Sequence, residues 1–226
     1  MNEDFELIQG SAQYMETATE PEVQPEPVPE PQPETKPVKK LTRAQSFFKD
    51  VRDVLVIVCV FMVVYMLLLR NVVVVGSSMY DTLHHGDYLL ILNNLVYQEP
   101  KQGDIIVASK DSFRNGECII KRVIATEGQK VDIDFATGTV YVDDKPLDEP
   151  YVYTPTTRPE GMQFPLIVDE GCIFVMGDNR KDSKDSRDPE IGLIDKREVL
   201  GKAIFLLLPG RDSSGQRDYG RIGVVG

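Results

Sequence analysis

Hydrophobic positions along the chain fall into three regimes, and each predicts a different kind of element. From Val54 to Leu69 the run VLVIVCVFMVVYMLLL carries no charge. As a helix its sixteen residues rise about 24 Å against a hydrocarbon core of about 30 Å, with Phe47, Phe48 and Val72 to Val75 extending the apolar contact. A helix that is apolar on every side needs apolar surroundings on every side, and no other segment offers a matching partner. The pattern therefore predicts one transmembrane helix over 47–71 rather than a buried core helix. With about fifty residues before the run and no A-x-A-like site after it, a cleaved signal peptide is not expected.

From Val72 onward the pattern changes to short β-rich runs: VVVV, YLLIL from Tyr88, DIIVAS from Asp104, ECIIKRVIA from Glu117, KVDI from Lys130, TVYVD from Thr139, CIFVM from Cys172 and AIFLLL from Ala203. Turn signals such as FATGT, VDDKP and EPKQGD separate them. This predicts an all-β domain over 72–226. Before the helix, EPEVQPEPVPEPQPETKP from Glu20 to Pro37 has almost nothing apolar to bury. No core offsets its ordering entropy, so 1–46 reads as a disordered, acidic Pro/Glu-rich tail with a basic end beside the membrane. Lys39, Lys40, Arg43, Lys49 and Arg52 form that basic end. The positive-inside rule places this flank in the cytoplasm and everything after Arg70 on the opposite side.

Composition removes several function classes. A net charge of −11, with no Lys/Arg cluster in the β region, argues against nucleic-acid binding. The three cysteines lack C-x-x-C spacing and there are only two histidines, so familiar zinc patterns cannot be assembled. Cys59 lies in the apolar run, which leaves Cys118 and Cys172 as the pair available for a disulfide. H-E-x-x-H, G-x-G-x-x-G, Walker and G-x-S-x-G motifs are all missing. GDNRKDSKDSRD from Gly177 has the acid spacing of a calcium loop. Ser183, however, stands where the turn Gly belongs, and no bidentate Glu closes the loop. No metal or cofactor is expected.

Ser78 is a candidate nucleophile whose base must come from elsewhere in the chain. His84 and His85 are too close in sequence to reach its hydroxyl without a sharp turn, and they read as turn residues before Gly86. The S-x-x-K at Ser46 to Lys49 precedes the apolar run and reads as a chance match. A lysine serves as base only when neutral. At its ordinary pKa it is deprotonated in about one molecule in a few thousand at pH 7, so tuning it to about 7 demands roughly 4–5 kcal/mol of destabilisation of the ammonium. Lys121 lies in the most apolar strand that contains a lysine. Alternation puts Ile119, Lys121 and Val123 on one face and Ile120, Arg122 and Ile124 on the other. That pattern alone also fits a solvent-facing lysine.

Three segments taken together, GSSMYDTLHHGDYLLI from Gly76, GDIIVASK with ECIIKRVIATEGQKV, and VMGDNRKDSKDSRDPEIGLI from Val175, resemble in order and spacing the signature blocks of bacterial type I signal peptidases. The resemblance implies an antiparallel β-sheet catalytic domain with a small β subdomain inserted within about Gly128 to Glu170. It implies Ser78 as nucleophile and Lys121 as general base. Ser183 would orient the lysine by a hydrogen bond, Asp185 and Arg187 would brace the site as an ion pair, and Gly177 to Arg180 would form the turn leading to it. It further implies cleavage of signal-peptide-bearing precursors after A-x-A-type sites, at the outer face of a cell membrane and in the neighbourhood of membrane lipid and the secretion translocon. Ser78, nine residues past Leu69, lies within about 30 Å of the helix end even when extended. Val75 and Ile120 flank the dyad in sequence and are assigned to the walls of the substrate pockets.

Two positions depart from the family pattern. Asp81 stands where many members have Pro, and Gly76 replaces a Ser that in some members donates to the oxyanion. The hole here then rests on the Ser78 backbone N–H and one further, unnamed donor. Two other readings remain open: a Ser-Lys self-cleaving protease of the repressor type, which needs no anchor, and a membrane-anchored β-domain binding module with an inert dyad.

Overall fold

The computed structural model describes residues 42–110, 113, 116–212 and 214–225, so the Pro/Glu tail up to position 41 lies outside the described residues. Phe47–Gly226 forms one compact unit. Helix α1 runs over Arg43–Leu68. Its start is set by a capping box: Gln45 N–H donates to Thr42 Oγ1 (3.4 Å) and Thr42 N–H to Gln45 Oε1 (3.0 Å). Arg43 to Ser46, allotted to the tail from sequence, are therefore helical. The helix ends three residues before the expected position 71, because Leu69 to Asn71 already pair with a strand. None of its residues is buried, and it is long and apolar enough to cross a membrane.

Twelve strands follow among the described residues. The first four, β1 (Leu69–Val73), β2 (Tyr88–Asn93), β3 (Ile105–Ser109) and β4 (Cys118–Thr126), belong to a large sheet. The next four, β5 (Lys130–Asp134), β6 (Thr139–Val142), β7 (Lys145–Pro146) and β8 (Leu166–Ile167), form a separate sheet in the order β7-β6-β5-β8. The last four, β9 (Cys172–Met176), β10 (Ile194–Asp195), β11 (Val199–Leu208) and β12 (Gly223–Val224), return to the large sheet. Its order is β1-β2-β11-β3-β4-β9-β10, with β12 also on β11. All named strand pairings are antiparallel. The chain is thus an all-β protein with a small sheet inserted at 130–167, preceded by one apolar helix.

Long β-branched runs form the expected strands because both faces of the large sheet are covered. In β4 every residue from Lys121 to Ala125 is buried, which removes the solvent-facing lysine from consideration. Val74, Met79 and Leu83 pack with Leu89, Ile91 and Val107, tying the β1–β2 connection to the core. Ile124, Phe174 and Met176 of the large sheet pack against Val131 and Val140 of the insert.

Beneath the loop after β9, Arg122 forks onto Asp178: Nε donates to Oδ1 (2.9 Å) and Nη2 to Oδ2 (2.7 Å). Both side chains are buried. Thr82 Oγ1 donates to the same carboxylate at 2.6 Å, and Arg122 also lies 3.9 Å over the Tyr151 ring. Replacing one member leaves the other charge buried and unpaired. Asp178→Ala is therefore expected to destabilise the fold by about 3–5 kcal/mol, read as a large drop in thermal midpoint in detergent. A drop of under about 1 kcal/mol would mean that Arg122 finds solvent or another partner.

Candidate active site

Ser78 sits in the connection between β1 and β2. The next residue, Met79, is buried, as is Leu83 one turn on, and Leu83 N–H donates to the Met79 carbonyl at 2.8 Å. The backbone on the C-terminal side of the hydroxyl is thus anchored in the core. Lys121 enters from β4, where its strand is fixed on one side by β3 through the Lys121–Ile106 pairing. The two elements bring Lys121 Nζ to 2.8 Å from Ser78 Oγ. Nζ also donates to the Ile120 carbonyl at 3.1 Å.

Lys121 is 4% exposed. Burial disfavours its ammonium and is the largest influence on it; Asp185 and Asp178 act in the opposite direction, and Arg187 adds to the lowering. The outcome is a pKa lowered to about 8. At that value roughly one Lys121 in ten is neutral at pH 7, against about one in several thousand at the ordinary value. A neutral Nζ accepts the Ser78 hydroxyl proton along the same 2.8 Å contact.

The loop from Gly177 to Arg187 surrounds this pair. Asp185 and Arg187 form a fully buried ion pair, with Arg187 Nε at 2.8 Å from Oδ1 and Nη2 at 2.9 Å from Oδ2. Burial pushes the Asp185 pKa up, but the hydrogen bonds and charge of Arg187 outweigh it, and Gly177 N–H and Ser183 help to hold the carboxyl below its usual range. Ser183 does not make the hydrogen bond to Lys121 expected from sequence. Its hydroxyl donates to Asp185 Oδ2 at 2.8 Å, while Lys121 directs its bonds to Ser78 and the Ile120 carbonyl. Gly177 permits the close approach of these parts: a Cβ there would collide with Ser183 Oγ and the Ser78 carbonyl oxygen.

Ser78 and Lys121 open into a cleft of about 620 Å³, and both Val75 and Ile120 line it. Val75 is 81% exposed. Cys118 also lines this cleft, and Cys118 and Cys172 are both free thiols. Neither histidine bonds to Ser78: His84 Nε2 lies 3.2 Å from Asp81 Oδ1, and His85 Nδ1 accepts from Gly76 N–H at 3.2 Å. Ser46 and Lys49 lie in α1. The acids of the calcium-like segment are engaged otherwise, Asp178 by Arg122 and Asp185 by Arg187.

Several contacts were not anticipated from sequence. Asn179 N–H donates to the Ser78 carbonyl at 3.0 Å, and Asn179 Nδ2 donates to the Ser77 carbonyl at 3.2 Å. Ser77 Oγ donates to Asp182, and Arg180 pairs with Glu149 of the inserted segment. The one signal available beforehand was the density of Asp, Asn and Arg in GDNR, too many hydrogen-bonding groups for a simple turn.

Residues 48–208 match the family model described as signal peptidase, peptidase S26. Signal peptidase I of Bacillus licheniformis is 32% identical over 179 residues, covering 76% of this chain and 94% of that protein. Signal peptidase I S of Bacillus subtilis strain 168 is 34% identical over 161 residues, covering 65% and 84%. The crystal structure of a signal peptidase I from Enterococcus faecalis V583 is 31% identical, with a TM-score of 0.39, over 46% of this chain and 96% of that one.

Folded Lys121, at about 8, lies below its ordinary 10.5, so burying its ammonium costs about 3 kcal/mol of stability below pH 8. That cost shrinks as pH rises from 8 to 10.5 and is gone above it. Lys121→Met is therefore expected to raise the thermal midpoint at pH 7, with the gain narrowing over that window; a gain independent of pH would contradict a lowered pKa. Arg187→Met exposes Lys121 to an uncompensated Asp185 charge. The alkaline-rising limb of any Ser78-dependent reaction should then move upward from about 8, and an unmoved limb would show that Arg187 has no electrostatic hold on the lysine.

Proposed function

Because the chain belongs to the signal peptidase, peptidase S26, family and is a serine peptidase that removes signal peptides, we propose that Ser78 is its nucleophile and Lys121 its general base. The observation that carries this reading is the 2.8 Å contact between Lys121 Nζ and Ser78 Oγ, made by a lysine that burial drives toward neutrality. Neutral Nζ takes the hydroxyl proton as Oγ attacks the scissile carbonyl carbon. The tetrahedral oxyanion then collapses, and the ammonium of Lys121 returns the proton to the departing amine. Nζ, neutral again, takes a proton from the water that attacks the Ser78 ester, and returns it to Ser78 Oγ as the acyl product leaves. Asp185 and Arg187 brace the loop and set the field at Lys121, and Ser183 acts on the lysine through Asp185.

Precursors are read along open strand edges. β1 ends the large sheet, and β9 pairs with β4 only from Arg122 onward, which leaves one edge of Cys118 to Lys121 unpaired among the described residues. An extended peptide between these edges gains main-chain hydrogen bonds, and alternate side chains turn toward Val75 and Ile120. Those walls favour small residues at the first and third positions before the cut. Helix α1 anchors the chain in a cell membrane with its basic flank in the cytoplasm and the β domain outside. Membrane lipid surrounds the helix, and the secretion translocon delivers the substrate. The domain boundaries in this reading are the helix over Arg43–Leu68 and the peptidase domain from Leu69 onward.

In detergent or vesicles, the wild type is expected to cleave a precursor after the third residue of an A-x-A site. Ser78→Ala and Lys121→Ala should each lower kcat by on the order of 10⁴ to 10⁶ while the protein stays folded. Turnover surviving in Lys121→Ala would place the base elsewhere, and no cleavage by folded wild type would favour a precursor-binding module with an inert dyad. Ile120→Ala should widen acceptance to larger residues at the cut; an unaltered preference would remove Ile120 from the pocket wall.

A further inference from the structure

The Ser77–Ser78 peptide is one planar trans unit, so its C=O and N–H point to opposite sides. Its carbonyl is held by Asn179 Nδ2 at 3.2 Å. The N–H on the other edge belongs to Ser78, and among the described residues it donates to no protein acceptor. The carbonyl of Ser78 is fixed by Asn179 N–H at 3.0 Å. A third tie reaches the same unit from the side: Ser77 Oγ donates to the Asp182 carboxylate, and both residues line the cleft. Asn179 and Asp182 are themselves one turn, closed by Asp182 N–H donating to the Asn179 carbonyl at 3.0 Å. Gly76, at φ +99°, offers no side-chain donor. A transition-state oxyanion here consequently depends on the orientation of the Ser78 N–H more than it would with a hydroxyl at position 76.

We propose that Asn179 and Asp182 are positioning residues that lock the Ser77–Ser78 peptide, by its carbonyl and by the Ser77 hydroxyl, with the Ser78 N–H held ready as oxyanion donor. The inference rests on Ser78 being the nucleophile. Without the Asn179 amide the peptide plane loses the bond that fixes its carbonyl, and an N–H turned away from the cleft stabilises no developing charge. Asp182 needs only an acceptor oxygen for its part, and Ser77 needs only a hydroxyl. The ground state of a bound precursor, held along the strand edges, does not use this N–H to the same extent as the oxyanion, so the loss belongs to kcat rather than KM.

The test compares full-length wild type with Asn179→Ala, Asp182→Ala and Ser77→Ala in precursor cleavage and in inhibition by a peptide aldehyde ending in Ala. Ser78 Oγ–H adds across the aldehyde carbonyl, giving a hemiacetal whose oxygen occupies the place of the oxyanion. Each variant is expected to lose kcat and aldehyde affinity by on the order of 10- to 100-fold, with KM and the pH midpoint of the rate unchanged. Asp182→Asn and Ser77→Thr, which keep the acceptor oxygen and the hydroxyl, should retain most of the wild-type values. Because Ser77 and Asp182 are exposed, their variants keep the test independent of whether Asn179→Ala folds. Unchanged kcat and aldehyde affinity in the two alanine variants at Ser77 and Asp182 overturns the positioning role. So does a loss shared equally by KM and matched by the two conservative variants. A wild type that cleaves but forms no adduct at Ser78 would instead overturn the nucleophile assignment beneath it.

Discussion

A lysine buried to 4% exposure within reach of two carboxylates sets the terms for everything around it. Burial alone makes its ammonium costly, and the nearby charges of Asp185 and Asp178 work to restore it. Had those carboxylates been left unpaired, their attraction would keep Lys121 charged and useless as a base. Each is instead taken up by a guanidinium, Asp178 by Arg122 and Asp185 by Arg187, in two-point contacts shielded from water. Both arginines satisfy buried acids, and Arg187 also quiets the negative field that would otherwise hold the lysine charged.

The same pairs fix geometry. Arg122 follows Lys121 in β4, so the clamp on Asp178 ties the strand that carries Lys121 to the loop after β9. That loop reaches across to Ser78 through Asn179, and Thr82, four residues past Ser78, returns to Asp178 at 2.6 Å. Three segments distant in sequence are thereby joined around one hydroxyl–amine contact. Gly177 lies at their meeting point, where any side chain would separate Ser183 from the Ser78 carbonyl. The insert is drawn in as well, through Glu149 on Arg180 and the Tyr151 ring beneath Arg122.

Much of this was legible in the residues. The β-branched runs mark the long strands, because burial on both faces demands such sequences, and the unbroken apolar run marks the helix, because a hydrocarbon surround demands apolar residues on every side. The two-residue strands β7, β8, β10 and β12 were not legible, since pairings so short are made by their neighbours and leave no periodicity. The helix start at Arg43 was hidden because Thr42 and Gln45 lie in a polar stretch and cap it through side-chain contacts alone. The meeting of Ser78 and Lys121 at 2.8 Å was readable through the motif blocks. The partner of Ser183 was not, because a hydroxyl between a lysine and a carboxylate can turn to either, and only the packed loop decides that it turns to Asp185. The Ser77–Asp182 tie spans 105 positions, a separation over which spacing in the chain says nothing.

The protonation state of Lys121 is open to direct observation by isotopic labelling of lysine ε-carbons and titration by NMR in detergent, with the Lys121 signal assigned by its loss in Lys121→Met. A resonance titrating near pH 8, and moving upward in Arg187→Met, would establish a neutral amine tuned by burial and by its ion-paired surroundings. A Lys121 signal that titrates with the ordinary lysines would contradict the base assignment, whatever the activity of the mutants.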